Sequence, residues 1–149
     1  MSLYLKVFIV SVLPIFELQG AIPMGIALGY EPVDVFFVAF LGSILPSPFI
    51  YFCSKPIFAM LRNTDIFQSF VTNLSSRTLK KGRNIKRYGF LGLVLFVGIQ
   101  LPGTGVWTGS LAASLLNLDF KKSFVSIVIG TLIACIVLIF ISCVAFSST

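Results

Sequence analysis

Glu17 is the acidic residue of this sequence that stands alone among apolar neighbours, with ten uncharged residues before it and thirteen after. Near the middle of a bilayer a charge costs from about 3 to over 10 kcal/mol, so such a side chain faces a polar cavity or takes up a proton. Desolvation makes a carboxyl harder to ionise, which suits a proton carrier. Two roles stay open for Glu17: coupling an ion to transport, or capping a turn. A second segment further along repeats the pattern. Glu17-Leu18-Gln19-Gly20 and Ala21-Ile22-Pro23-Met24-Gly25 find their match in Gln100-Leu101-Pro102-Gly103 and Thr104-Gly105-Val106-Trp107-Thr108-Gly109. Gln100 has the shape of Glu17 and cannot ionise, so the pair could divide coupling from substrate contact.

Gly20–Pro23 and Pro102–Gly105 each interrupt a membrane helix, because Pro removes a backbone donor and Gly admits non-helical angles. Free backbone groups in lipid cost several kcal/mol each, so such a break lies within protein or lines a polar cavity. The helix resuming after the break offers unpaired N–H groups and a positive dipole end. Broken helices of this kind form ion and substrate sites in many secondary transporters. Candidate substrate contacts are therefore Gly20, Pro23, Gln100, Pro102, Gly103, Thr104, Gly105 and Trp107. Trp107 is the single tryptophan, and its ring could hold an organic cation. Other chemistry finds little support. His is absent, and Cys53, Cys135 and Cys143 lack metal-ligand spacing. No nucleophile–base pair suggests an enzyme, and no cofactor or metal is expected.

These residues sit in a chain of 149 residues that is 57% apolar and 11% charged, with mean hydropathy +1.03. A soluble domain carries about twice that share of charge. Charge-free runs cover Val35–Ser54, Tyr88–Leu118 and Ser123–Thr149, each at or above the ~20 residues that span a hydrocarbon core. The expected fold is an all-α integral membrane protein in a cell (inner or plasma) membrane. The arms around the second break, 89–101 and 105–117, are each about 19 Å long at 1.5 Å per residue, too short to cross. They read as a re-entrant hairpin, 89–117, followed by a transmembrane helix, 119–147. The first repeat, 1–54, reads likewise as a hairpin, 3–30, and a helix, 33–54. A connection, 55–88, joins it to the second repeat, 89–149.

Charge orients this arrangement. With two hairpins and two crossings, 10 of the 11 basic residues share one face; the positive-inside rule makes that face cytoplasmic and puts both termini outside. The second unit then starts from the opposite face to the first, as an inverted repeat. Ile66, Phe67, Phe70, Val71 and Leu74 recur at helical spacing within the connection, which suggests an amphipathic helix in the headgroup plane. In this position the basic excess speaks for lipid rather than nucleic acid. Two crossings are too few to shield two polar hairpin tips, so a homo-oligomer, most simply a dimer, is expected.

Glu17-Leu18-Gln19-Gly20-Ala21-Ile22-Pro23 and Leu101-Pro102-Gly103-Thr104-Gly105 resemble the two motifs of the small multidrug export protein family, and the resemblance covers nearly the whole chain. That family looks distantly related to the DedA-like membrane proteins, which are thought to use inverted re-entrant hairpins and to move lipid carriers. The resemblance implies a small membrane exporter acting on a small molecule. A lipid or lipid-carrier flippase and a non-transporting assembly protein are the alternatives.

Overall fold

The computed structural model describes residues 2–61, 65, 69, 82–99, 105–115 and 118–148, and the regular structure among them is helical. Helix α1 (Leu3–Val12) stops where Leu13, extended at φ −71° and ψ 135°, precedes Pro14. A proline disfavours helical angles in the residue before it. Helix α2 (Glu17–Ala27) follows at once. It ends in a Schellman turn: Tyr30 N–H donates to the Gly25 carbonyl at 3.1 Å and Gly29 N–H to that of Ile26 at 3.0 Å. Gly29 sits at φ 83°, a conformation that favours glycine.

The first break is not where Gly20 and Pro23 suggest. Helix α2 runs through both residues, and the chain turns at 13–16 instead. Pro14 lies in that turn and Glu17, at φ 36°, completes it. Pro23 removes one backbone bond from the helix. That loss is smaller than the contacts, described below, that fix the start of α2 at Glu17.

Helices α3 (Pro32–Ile44) and α4 (Pro46–Leu61) follow one another through Leu45, which keeps helical angles and donates its N–H to the Leu41 carbonyl at 3.1 Å. Beyond the connection come α5 (Gly82–Gly98), α6 (Val106–Leu115) and α7 (Phe120–Ser147). Among the described residues, two stretches are apolar and long enough to cross a membrane, Pro32–Ile57 with 26 residues and Phe120–Ser147 with 28. At 1.5 Å per residue they extend about 39 and 42 Å. The amphipathic pattern at 66–74 lies outside the described residues.

The outer face is apolar, and small hydroxyl residues share the interior with apolar ones. Large apolar side chains face outward, among them Leu41, Phe49, Phe52, Ile136 and Phe140, while Ser11, Ser43, Ser47, Ser110, Ser126, Thr131 and Ser142 are buried. An apolar surface of this extent belongs against lipid, and small hydroxyl residues let helices approach closely. Several of these hydroxyls bond back to their own helix: Ser110 to the Val106 carbonyl at 2.6 Å, Thr131 to that of Ile127 at 2.6 Å and Ser126 to that of Lys122 at 2.8 Å. Internal bonding leaves no demand for water.

The same pairings recur in the two halves. Helix α1 packs on α2 and α3, as α5 packs on α6 and α7; α2 crosses to α7, and α6 to α4. Two apolar cores result. One gathers Val7, Leu18, Ile22, Val35 and Cys135, the other Tyr51, Val97, Val106 and Ile127, and α7 contributes to both. A glycine on each long helix admits the first helix of its own half. A Cβ on Gly42 would overlap Ser11 Oγ, and one on Gly130 would lie 2.8 Å from the Val94 carbonyl and 2.9 Å from Val97 Cβ. Since backbone cannot step aside, Gly130→Ala is expected to cost about 1–3 kcal/mol and lower the thermal midpoint in mild detergent. Gly92→Ala, with nothing within 4 Å of the added Cβ, should leave the midpoint unchanged or slightly raised.

Candidate functional site

The turn at 13–16 brings Glu17 to the start of α6. Its carboxylate accepts two backbone hydrogen bonds there, Val106 N–H to Oε2 at 3.3 Å and Trp107 N–H to Oε1 at 3.0 Å. These are donors of the first turn of α6, without partners inside the helix. The carboxylate supplies the partners and meets the positive end of the helix dipole. Glu17 is 6% exposed. Its φ of 36° is uncommon for a residue with a side chain; such strain, about 1–3 kcal/mol, persists where the surroundings enforce it and gathers at functional sites.

Gly105, just before α6, is buried against the same carboxylate. A Cβ there would overlap Glu17 Oε2. Trp107 returns the contact: its indole N–H donates to the carbonyl of Val12, the last residue of α1, at 3.1 Å. Glu17 therefore caps the start of α6 and Trp107 caps the end of α1. The two halves hold each other by their helix ends.

A pocket of about 240 Å³ opens beside this contact, lined by Pro14, Ile15, Phe16, Glu17, Gln19, Trp107, Thr108 and Leu111. Its walls are mostly apolar and aromatic, and Glu17 is the ionisable residue among them. An ionised carboxylate has about four acceptor positions. The two N–H bonds take one position on each oxygen, which leaves acceptor capacity for the pocket. This arrangement can hold a proton, an inorganic cation or a small lipophilic cation.

Three of the residues singled out by sequence, Glu17, Gly105 and Trp107, meet at this point. Gly20 and Pro23 lie further along α2 and do not line the pocket; Gly20 packs against Phe16, where a Cβ would approach Phe16 Cβ to 2.8 Å. Gln100, Pro102, Gly103 and Thr104 lie outside the described residues. The sequence reading missed Pro14, Ile15, Phe16, Gln19, Thr108 and Leu111 as walls and Val12 as a partner. A proline three residues before a buried acid was the available signal for the walls. The Val12 carbonyl carried none. Ser47 of α4 also meets Ser110 of α6, hydroxyl to hydroxyl at 3.0 Å. Pro46-Ser47-Pro48 thus places a serine against α6.

No curated protein and no solved structure matches the chain. A family profile does, and it begins at Glu17 itself: the family described as "Putative small multi-drug export protein" matches residues 17–137. The match spans both halves of the site, the first long apolar helix and the second as far as residue 137, so the chain belongs to the small multi-drug export protein family.

Proposed function

We propose that the chain is a secondary exporter of small lipophilic cations, coupled to H⁺ or Na⁺, with Glu17 as the coupling group and the pocket beside Trp107 as the substrate site. The observation that carries this reading is the buried carboxylate of one half bound to the helix start of the other, beside an apolar pocket. A cation finds a charge partner in Glu17, an aromatic face in Trp107 and apolar walls for its substituents. Gln100, Pro102, Gly103 and Thr104 complete the second tip in this reading.

The architecture goes with it. Helices α1–α2 and α5–α6 are re-entrant hairpins, α3–α4 and α7 are the crossings, and the halves form an inverted repeat. The recurring helix pairings and the matched Gly42 and Gly130 support this. The basic connection is cytoplasmic and both termini are outside, as the charge count favours. Ile15 and Phe16, 84% and 53% exposed at the first tip, would be covered by a second copy in a homodimer. Purified protein in liposomes should take up tetraethylammonium or tetraphenylphosphonium when a proton or sodium gradient is imposed, and dissipate the gradient as it does so. Uptake no faster than in protein-free liposomes, across such cations and both gradients, would refute the exporter reading.

A further inference from the structure

Three of the hydrogen bonds that join the two halves gather around one ionisable group. Glu17 holds the Val106 and Trp107 amides, and the same Trp107 holds the Val12 carbonyl. Ionised, the carboxylate offers charge-assisted bonds to both amides and sits at the positive end of α6. Protonated, it keeps ordinary acceptor capacity on one oxygen, gains an O–H that an N–H cannot accept, and loses its attraction to the dipole. The strained φ of 36° then loses part of what compensates it.

We propose that Glu17 is a proton-operated latch: its ionised carboxylate fastens the turn at 13–16 onto the start of α6, and protonation releases α6 and Trp107 from that turn. This deepens the exporter reading of the same site and rests on it for its purpose, since release would widen the pocket toward one side of the membrane. The proton comes from water at the pocket mouth and returns there when the latch closes.

Among the described residues, other charges stand apart from this point. Helix α6 carries no titratable residue. On the elements packed against α2, the titratable groups among the described residues are Tyr4 and Lys6 of α1, Asp34 of α3, and Lys121, Lys122, Cys135 and Cys143 of α7. Tyr4 and Asp34 bond each other at 3.1 Å. None of these groups lines the pocket or bonds the Glu17 carboxylate.

Trp107 is the single tryptophan, so the intrinsic fluorescence of the protein reports on the latch itself. In lipid nanodiscs without substrate, quenching of Trp107 by acrylamide should rise severalfold from roughly pH 9 to roughly pH 4, a range that brackets perturbed carboxyl groups. The change should follow one proton. Glu17→Gln should be pH-independent and quenched like the acid form at every pH, while Glu17→Asp should keep the transition at a shifted midpoint. Wild-type quenching that stays flat over that range, or a transition that survives in a folded Glu17→Gln, overturns the latch. Were the Gln variant not to fold, the wild-type and Asp profiles would still decide. Transport is not part of this readout, so an intact latch without cation uptake would sink the exporter reading alone.

Discussion

Glu17→Gln is expected to reduce gradient-driven uptake to the level of empty liposomes while the protein stays folded and inserted. Glutamine keeps the shape of the side chain and one oxygen acceptor, so one of the two N–H bonds at 3.3 and 3.0 Å survives in neutral form. The lost charge removes about 1.5–3 kcal/mol of charge-assisted bonding, enough to loosen the tip but not to unfold two long helices. What disappears completely is the ability to exchange a proton or pair with a cation. Glu17→Asp should retain part of the uptake with a displaced pH profile, because the group still titrates but reaches less far. Were Glu17 only a structural cap, the Gln variant would transport nearly as well as the wild type. Uptake by the two variants in proteoliposomes, with circular dichroism as the control for folding, separates these outcomes.

Gly105→Ala should be almost as damaging, although it changes no polar atom. The added Cβ would occupy the space of Glu17 Oε2. Helix α6 must shift or the carboxylate must leave its two amides, and either way the Glu17 contact between the halves is lost. Overpacking of this kind costs about 1–3 kcal/mol, which corresponds to a loss of the latched form of roughly 5- to 150-fold. The signature differs from that of Glu17→Gln. The carboxyl still titrates, so uptake should fall while retaining its pH dependence, and the quenching of Trp107 at neutral pH should approach that of the acid form. Unchanged uptake and unchanged quenching would mean that the tip does not need this close approach.

The helical, membrane-embedded character of the chain is legible in where its charges are missing. Such runs as Ser123–Thr149 leave a helix as the structure that satisfies its own backbone in lipid. The long apolar helices that carry Gly42 and Gly130 also show in the sequence. The first break does not. Gly20-Ala21-Ile22-Pro23 contains the residues that end helices, yet α2 continues through them. Its start is set by a contact 89 and 90 residues away along the chain, the Glu17 carboxylate on the Val106 and Trp107 amides. Local sequence cannot specify a bond of that range.

The same limit governs the candidate site. Glu17 declares itself, because an isolated acid in apolar sequence must find a partner or a proton. Gly105 and Trp107 were visible as parts of a turn motif, without the information that they face Glu17. The pocket walls Pro14, Ile15, Phe16 and Leu111 are ordinary apolar residues by type. They become walls through the turn at 13–16 and the packing of α6 beside it. The backbone carbonyl of Val12 has no sequence signature at all.

The central claim is that one carboxylate, Glu17, serves proton and cation in turn. Proton release on binding tests it most directly. When a saturating lipophilic cation such as tetraphenylphosphonium is added to the detergent-solubilised protein in weakly buffered solution, at a pH where Glu17 is protonated, about one proton per bound cation should appear in the medium, as expected for two ligands exclusive at one group. Glu17→Gln should release none. Cation binding by the wild type without proton release at any pH, or equal release from the Gln variant, would contradict the account.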